Sequence, residues 1–194
     1  MGKGRLEAFS DGVIAIIITI MVLELKVPHG EDLASLEPLI PVFISYVLSF
    51  VMVGIYWNNH HHLLHAAHRV NGPVMWANLH LLFWLSLFPF VTGFMGENHF
   101  GNVPVMTYGV ICLMSAISYT LLVRTLISLH GNESVLADAI GSDRKGYLSL
   151  AIYAAAIPTA LYDGVLAFGM FILVALIWFA PDKRIEKKIG ESKK

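Results

Sequence analysis

The sequence contains few charged residues. Asp, Glu, Lys and Arg make up 14% of its 194 residues, whereas about 25% is usual for a soluble domain. Hydrophobic residues make up 56%, and the mean hydropathy is +0.66. These values exclude an ordinary soluble domain and predict an integral membrane protein. The formal net charge of -1 gives no indication of a nucleic-acid partner, and none is expected.

Cysteine and recognisable catalytic motifs are also scarce. The single cysteine, Cys112, lies in an apolar run and has no internal disulfide partner, so a structural thiol is expected. The sequence shows no Ser-His-Asp order, no pair of catalytic carboxylates and no nucleotide-binding loop. We therefore expect neither an enzyme nor a bound cofactor.

Six apolar segments separated by polar loops make up most of the chain. A helix of roughly 20 residues crosses about 30 Å of hydrocarbon at about 1.5 Å per residue. The expected spans are residues 5–25, 39–64, 74–94, 105–129, 147–162 and 165–179. Together they form a transmembrane domain over residues 1–180, followed by a charged cytoplasmic tail at 181–194. The predicted fold class is all-α, with six transmembrane helices in each chain.

Lysine and arginine are concentrated in alternate connections. Lys3 and Arg5 precede the first span, Arg69 follows the second, and Arg144 and Lys145 precede the fifth. Six further basic residues follow the sixth span. Because cytoplasmic loops carry the excess of Lys and Arg, both termini are predicted to be cytoplasmic. An even number of spans agrees with this orientation.

The first segment has two distinct faces. One stripe, defined by a rotation of about 100° per residue, consists of Ile16, Thr19, Ile20 and Leu23. Asp11 points away from the stripe, and a carboxylate in the membrane should face protein or water and have a partner. If Asp11 instead capped a shorter helix, only 12 apolar residues would remain, too few to cross. Periodicity alone leaves two interpretations of the stripe open: ordinary helix packing, which is the more usual, and a pore wall.

The start of this segment resembles a known signature. Arg5, three residues, and then Phe9-Ser10-Asp11 are similar to the Arg-x-x-x-Phe-Ser-Asp motif of the transmembrane protein 175 potassium channel family. The resemblance implies a potassium-selective or potassium-preferring cation channel with its pore lined by the first helix. It also implies a homotetramer in a bacterial inner membrane, because the sequence contains one copy of the motif. Symmetric assembly agrees with a pore to which each chain contributes one helix.

The resemblance also assigns roles to single residues. Ile16, eleven residues after Arg5, matches the isoleucine that constricts the pore in the family. Ile20 and Leu23 match two further apolar layers, and Thr19 matches a position that carries a hydroxyl in some bacterial members. The permeant ion would be potassium, and a narrow apolar ring can also close by dewetting. The Phe-Ser-Asp residues are implied to hold the first helix against its neighbours.

Asp11 requires a donor on a neighbouring segment. Indole, amide and imidazole groups can all donate to a carboxylate. The third segment offers Trp76, Asn78 and His80, and the second offers Trp57, Asn58 and Asn59. We expect His80 with Asn78 to be the partners, although His80 is equally compatible with an ordinary core histidine.

A cluster of histidines ends the second segment: His60, His61, His62, His65 and His68. His61, His65 and His68 share a helix face through spacings of four and three residues, which metal sites use. No cysteine or carboxylate stands beside them, so they are weak candidates for a metal site. A pH-responsive patch is a second interpretation, and a solvated or lipid-facing helix end is the favoured one.

A proton-coupled secondary transporter is the alternative function. Pro89 and Pro158 could break helices around a site at the membrane midplane, as in transporters. We detect no internal inverted repeat, and the channel is therefore the preferred interpretation.

Overall fold

The computed structural model describes residues 2–131, 134, 136–137, 141 and 143–179, and these residues contain helices but no strand. The helices are α1 Lys3–Met21, α2 Ile40–Ala66, α3 Gly72–Leu85, α4 Phe88–Glu97, α5 Asn102–His130, α6 Arg144–Tyr162 and α7 Gly164–Phe179. Two 3-10 helices, Val22–Glu24 and Leu33–Leu39, lie between α1 and α2. The expected cytoplasmic tail, 181–194, lies outside the described residues.

The helices are of the length and composition that membranes require. Within the described ranges, four segments are long and apolar enough to cross a bilayer: Lys3–Glu24, Leu33–Ala66, Gly72–Glu97 and Asn102–His130. Gly164–Phe179 is a shorter apolar helix. The protein is therefore a multi-pass, all-helical membrane protein. Lys3, Arg5, Arg69, Arg124 and Lys145 lie towards the same end of the bundle, which we call the basic end.

The third apolar segment is divided into α3 and α4 at a proline. α3 ends at Leu85, and Pro89 lies in the first turn of α4. A proline has no N–H to donate, and its ring clashes with the carbonyl four residues earlier, which here belongs to Leu85. Pro158, in contrast, lies inside α6 without ending that helix.

Side-chain caps mark where two helices begin. Asn71 accepts a hydrogen bond from the Val74 N–H at 3.1 Å at the start of α3. Asp143 accepts one from the Gly146 N–H at 2.9 Å at the start of α6. Each cap satisfies one N–H group that has no partner within its own helix.

The helices pack in two connected groups. α5 lies against α3, α4, α6 and α7, and α1 lies against α2, α3 and α4. Buried aromatic rings join the groups: the centroid of Tyr108 is 5.7 Å from that of Phe88 and 5.3 Å from that of Phe171. α2 and α4 approach so closely at Gly96 that an added Cβ would lie 2.6 Å from the Cα of Val42. A small residue at such a contact is typical of membrane helices.

Candidate functional site: the two faces of the first helix

One face of α1 is buried against the rest of the protomer. Its residues follow the spacing of a single helix stripe: Leu6, Ser10, Ile14, Ile17 and Met21. All five are at most 4% exposed. They contact α2, α3 and α4, and we call them the buried face.

The opposite side of α1 carries bulky aliphatic side chains that project from the protomer. Ile16 is 57% exposed, Ile20 43% and Leu23 73%, and Thr19 is exposed as well. These are the four residues that the sequence places on one stripe, and we call them the exposed stripe.

Thr19 bonds only within its own helix in the described structure. Its Oγ1 lies 3.0 Å from the main-chain oxygens of both Ala15 and Ile16 and donates to them. A hydroxyl group has one proton and two lone pairs. The proton is therefore used inside the helix, while the oxygen remains on the exposed stripe as an acceptor.

A buried hydrogen-bond network fixes α1 to α2 and α3. The Asn78 Nδ2 donates to the Ser10 Oγ at 2.9 Å, and the Ser10 hydroxyl donates to the Leu6 carbonyl at 2.8 Å. The Asn78 Oδ1 lies 2.7 Å from the His60 Nε2. Because an amide oxygen only accepts, the Nε2 of His60 carries the proton. All three network side chains are at most 1% exposed, so each polar group depends on the others.

Asp11 is paired with α2 rather than α3. Its Oδ1 accepts a hydrogen bond from the Trp57 Nε1 at 3.0 Å. The expected pairing of Asp11 with Asn78 and His80 is thus corrected, because Asn78 bonds to Ser10 and His60. Consecutive residues on a helix point about 100° apart. Ser10 therefore faces α3, while Asp11 faces α2.

The other two α3 residues considered as partners have different environments. The His80 Nε2 accepts a hydrogen bond from the Trp84 Nε1 at 3.1 Å, within the same helix. The His80 Nδ1 is buried and has no hydrogen-bond partner among the described residues. Trp76 is 75% exposed, and the indole that donates to Asp11 is that of Trp57.

The signature residues divide between the two sides of α1. Ser10 and Asp11 make the interhelical bonds, whereas Arg5 is exposed and Phe9 is 48% exposed. The cation that ties this end of α1 to α2 is Lys3, whose Nζ donates to the His65 carbonyl at 3.2 Å. The same ammonium lies 3.7 Å from Glu7.

The histidines of α2 occupy separate environments. His61 and His65 stack at 6.1 Å between ring centroids, and Trp57 stacks on His61 at the same distance. The His130 Nε2 instead accepts from the main-chain N–H of His68 at 3.1 Å. The described residues contain no group of three metal-ligating side chains, so His61, His65 and His68 do not form such a group.

A second polar cluster, which the sequence analysis did not identify, fixes α4 beside the far end of α1. The Thr92 hydroxyl lies 2.6 Å from both the Ser49 Oγ and the Phe88 carbonyl. Ser49 in turn lies 3.1 Å from the Tyr108 hydroxyl. The available signal was Tyr108 in a membrane-spanning helix, because a buried hydroxyl needs a partner.

An ion pair at the end of the bundle opposite the basic end connects the loop after the first segment to the last residue of α4. Lys26 pairs with Glu97, and both side chains are largely accessible. The hydrogen bond that Lys26 donates to Glu97 and the negative charge of Glu97 raise the pKa of Lys26. This pair and the buried networks hold α1 at both ends.

The fold and this geometry define a class of protein: a multi-pass helical membrane protein whose first helix is packed against the protomer on one face and exposed on the other. Residues 5–89 match the family model described as endosomal/lysosomal potassium channel TMEM175. A potassium channel of Chryseobacterium sp. (strain P1-3) is 56% identical over 192 residues, which are 99% of this chain and 100% of that protein. The chain belongs to the TMEM175 family, which is a family of ion channels and not of enzymes.

Two further relatives show the range of the family. A lysosomal potassium-selective channel TMEM175 homolog from Chamaesiphon minutus has a crystal structure that matches with a TM-score of 0.81 at 28% identity. The match covers 93% of this chain and 97% of that chain. An endosomal/lysosomal proton channel TMEM175 of Gallus gallus is 29% identical over 192 residues, which are 91% of this chain and 37% of that protein.

Proposed function

We propose that this protein is a potassium-preferring cation channel in which four copies surround a shared pore with the exposed stripe of α1. The observation that carries the proposal is the contrast between the two sides of that helix. Ile16, Ile20 and Leu23 project from a helix whose opposite face is almost completely buried. Membership of the TMEM175 family supports the same conclusion.

The anchoring of α1 is what a constriction requires. A ring of side chains sets a pore diameter only if each helix is held in one rotation about its axis. Ser10 bonds towards α3 and Asp11 bonds towards α2, at 2.9 and 3.0 Å. Two bonds in different directions oppose rotation of α1, and this keeps the exposed stripe directed away from the protomer.

In this proposal Ile16 is both selectivity filter and gate. Potassium is less strongly hydrated than sodium and gives up less hydration energy at a narrow apolar ring, and the same ring closes by dewetting. Ile20 and Leu23 extend the apolar section over about 10 Å, seven residues at about 1.5 Å each. The Thr19 oxygen offers an acceptor to the passing ion. Potassium is a permeant ion here and not a cofactor.

The orientation of the chain in the membrane follows from the position of the basic end of the bundle. Lys3, Arg69 and Lys145 lie at that end, and an excess of Lys and Arg is typical of the cytoplasmic side. We therefore infer a bacterial inner-membrane channel with both termini in the cytoplasm. A homotetramer with closed cyclic symmetry would bring four exposed stripes together.

The test is to replace Ile16 with a polar residue of similar size. In bilayers with potassium on one side and sodium on the other, Ile16→Asn should shift the reversal potential towards zero, because a polar ring no longer excludes hydrated sodium. Ile117→Asn is the matched control, because Ile117 is 41% exposed on α5 and should leave selectivity unchanged. An unchanged reversal potential in Ile16→Asn, or an equal shift in both variants, would contradict the proposal.

Proton conduction is a second candidate function, because several TMEM175 relatives are named proton channels. The same bilayer recordings with a pH gradient in symmetrical potassium measure it directly. A current that saturates with substrate and shows a constant proton stoichiometry would instead indicate a proton-coupled transporter and overturn the channel proposal.

A further inference from the structure

The exposed side of α1 continues past Ile16 towards the basic end. Arg5, Phe9 and Gly12 precede Ile16 by eleven, seven and four residues. At about 100° per residue, all three point within about 40° of the direction of Ile16. All three are exposed, Phe9 by 48%, and a Cβ added at Gly12 would project into open space. We call these three residues the inner extension of the exposed stripe.

Arg5 is the charged member of the inner extension, and its charge is unpaired. The ion pairs within the described part of the chain are Lys3 with Glu7 and Lys26 with Glu97. The Arg5 guanidinium has no hydrogen-bond partner there either. A guanidinium remains protonated throughout the physiological pH range. Each chain therefore places one permanent positive charge in line with the exposed stripe.

The other charged side chains of α1 lie on its opposite side. By the same rotation, Lys3, Glu7 and Asp11 point about 130° or more away from the centre of the exposed stripe. The Lys3 ammonium lies 3.7 Å from Glu7 and donates to the His65 carbonyl of α2. Asp11 accepts its hydrogen bond from α2 as well. These groups pair with one another or bond to α2, so they leave the charge of Arg5 uncompensated on the exposed side.

The start of α1 adds positive charge at the same end. The helix begins at Lys3, its N-cap is Gly2, which has no side chain, and its first turn contains no acidic residue. The unbonded N–H groups at a helix N-terminus carry about half a positive elementary charge. Where four copies of α1 surround a pore, these partial charges and four Arg5 side chains meet at one mouth.

We propose that four Arg5 side chains form a positive ring at the cytoplasmic mouth of the pore, and that this ring makes outward potassium current smaller than inward current. The inference rests on the proposed channel function. A ring of positive charge lowers the local concentration of cations. Outward current draws its ions from that depleted mouth, whereas inward current draws them from the opposite mouth. Arg5 is therefore a residue that sets how conductance depends on direction.

Arg5 acts on the mouth and not on the constriction. It lies eleven residues from Ile16, or about 16 Å along the helix at about 1.5 Å per residue. In about 0.15 M salt, charges are screened over about 8 Å. The ring therefore changes how many ions reach the pore, while the choice between potassium and sodium at Ile16 is unaffected. Conductance and selectivity are separate readouts for this reason.

The first measurement needs no variant. In inside-out patches with about 0.15 M potassium on both sides, the outward conductance of the wild type should be about half of the inward conductance. In about 1 M potassium, where screening acts over about 3 Å, the ratio of the two conductances should approach one. A linear current–voltage relation at the lower concentration would overturn the inference.

The second measurement changes the charge at residue 5 in the folded protein. Cys112 is the only cysteine of the sequence and is fully buried, so Arg5→Cys supplies the accessible thiol. Two methanethiosulfonate reagents of similar size are applied from the cytoplasmic side, one carrying a sulfonate and the other a trimethylammonium group. The sulfonate should give about fourfold larger outward conductance than the trimethylammonium group, with the same reversal potential in potassium and sodium. Simple obstruction of the mouth would lower the conductance with either charge and would overturn the inference.

Arg69→Cys is the matched control, because Arg69 also lies at the basic end but bonds to the Leu129 carbonyl of α5. The outward conductance of this control should differ between the two reagents by less than about 1.2-fold. Equal effects at both positions, or no difference between the reagents in Arg5→Cys, would overturn this inference while leaving the channel proposal intact. A wild type without potassium current would overturn the channel proposal as well.

Discussion

The two sides of α1 carry the same residue type in opposite environments. Ile14 and Ile17 are 1% and 4% exposed, whereas Ile16 and Ile20 are 57% and 43% exposed. Hydrophobicity does not distinguish these four isoleucines. The difference comes from their direction, because the buried face packs against the rest of the protomer, whereas the exposed stripe projects from it. The comparison teaches that the role of an aliphatic residue in this helix depends on its neighbours.

Hydrogen bonding differs between the two sides in the same way. On the buried face, Ser10 is bonded to a residue of another helix, whereas Thr19 on the exposed stripe bonds to its own helix. One side is therefore coupled to the rest of the protomer. The other side is left available for contacts outside it.

The largest expected difference in the free energy of unfolding is between the alanine substitutions at Ile14 and Ile16. Ile14→Ala leaves a cavity in a packed interface and should lower the free energy of unfolding by about 2 kcal/mol. This value is at the lower end for such substitutions, because in a bilayer the substitution loses packing contacts but no transfer from water. Ile16→Ala should change it by less than about 0.5 kcal/mol. Denaturant titrations in micelles measure both values. Equal losses would show that the two sides are not different environments.

A smaller difference in stability is expected between substitutions of two polar residues, Asn78 in the buried network and Thr19 on the exposed stripe. Asn78→Leu removes the partner of both Ser10 and His60 and should cost about 1–2 kcal/mol of stability. Thr19→Val removes a bond within one helix turn and should cost less than about 0.5 kcal/mol. The same titrations provide the comparison. If Asn78→Leu proved as stable as the wild type, the network would not anchor α1.

The smallest effect is expected at the boundary between the two sides. Trp57→Phe removes the hydrogen bond to Asp11 but keeps a ring beside His61, and it should cost about 0.6 kcal/mol. Trp76→Phe is the control, because Trp76 is 75% exposed. A double-mutant cycle with Asp11→Asn isolates the pair. Additive losses in that cycle would mean that the two side chains are not coupled.

Local sequence rules predicted several features of the fold. Pro89 interrupts the third segment where the ring would meet the Leu85 carbonyl. Rotation of about 100° per residue placed Ile16, Thr19, Ile20 and Leu23 on one side of α1 and Asp11 on another. Both rules use only the chemistry of nearby residues, and they need no knowledge of how segments meet.

Partner assignment was the part that local rules could not supply. Trp57, Asn78 and His80 can all donate to a carboxylate, and the sequence analysis preferred the latter two. The choice depends on which helix faces Asp11, and α2 does so because Ser10 is turned towards α3. Similarly, His61, His65 and His68 have metal-site spacing, but α2 ends at Ala66, and His68 lies beyond it against His130.

The amino-acid sequence by itself determined that this chain is a helical membrane protein, and it determined which side of α1 is a bulky aliphatic stripe. Composition and helix periodicity carry that information in short stretches. The tertiary structure alone decided that Trp57, 46 residues from Asp11, completes the carboxylate's hydrogen bond. It also decided that α2 and α7 together line a groove of hydrophobic side chains. These outcomes depend on the relative rotation and approach of distant helices, which no local pattern encodes.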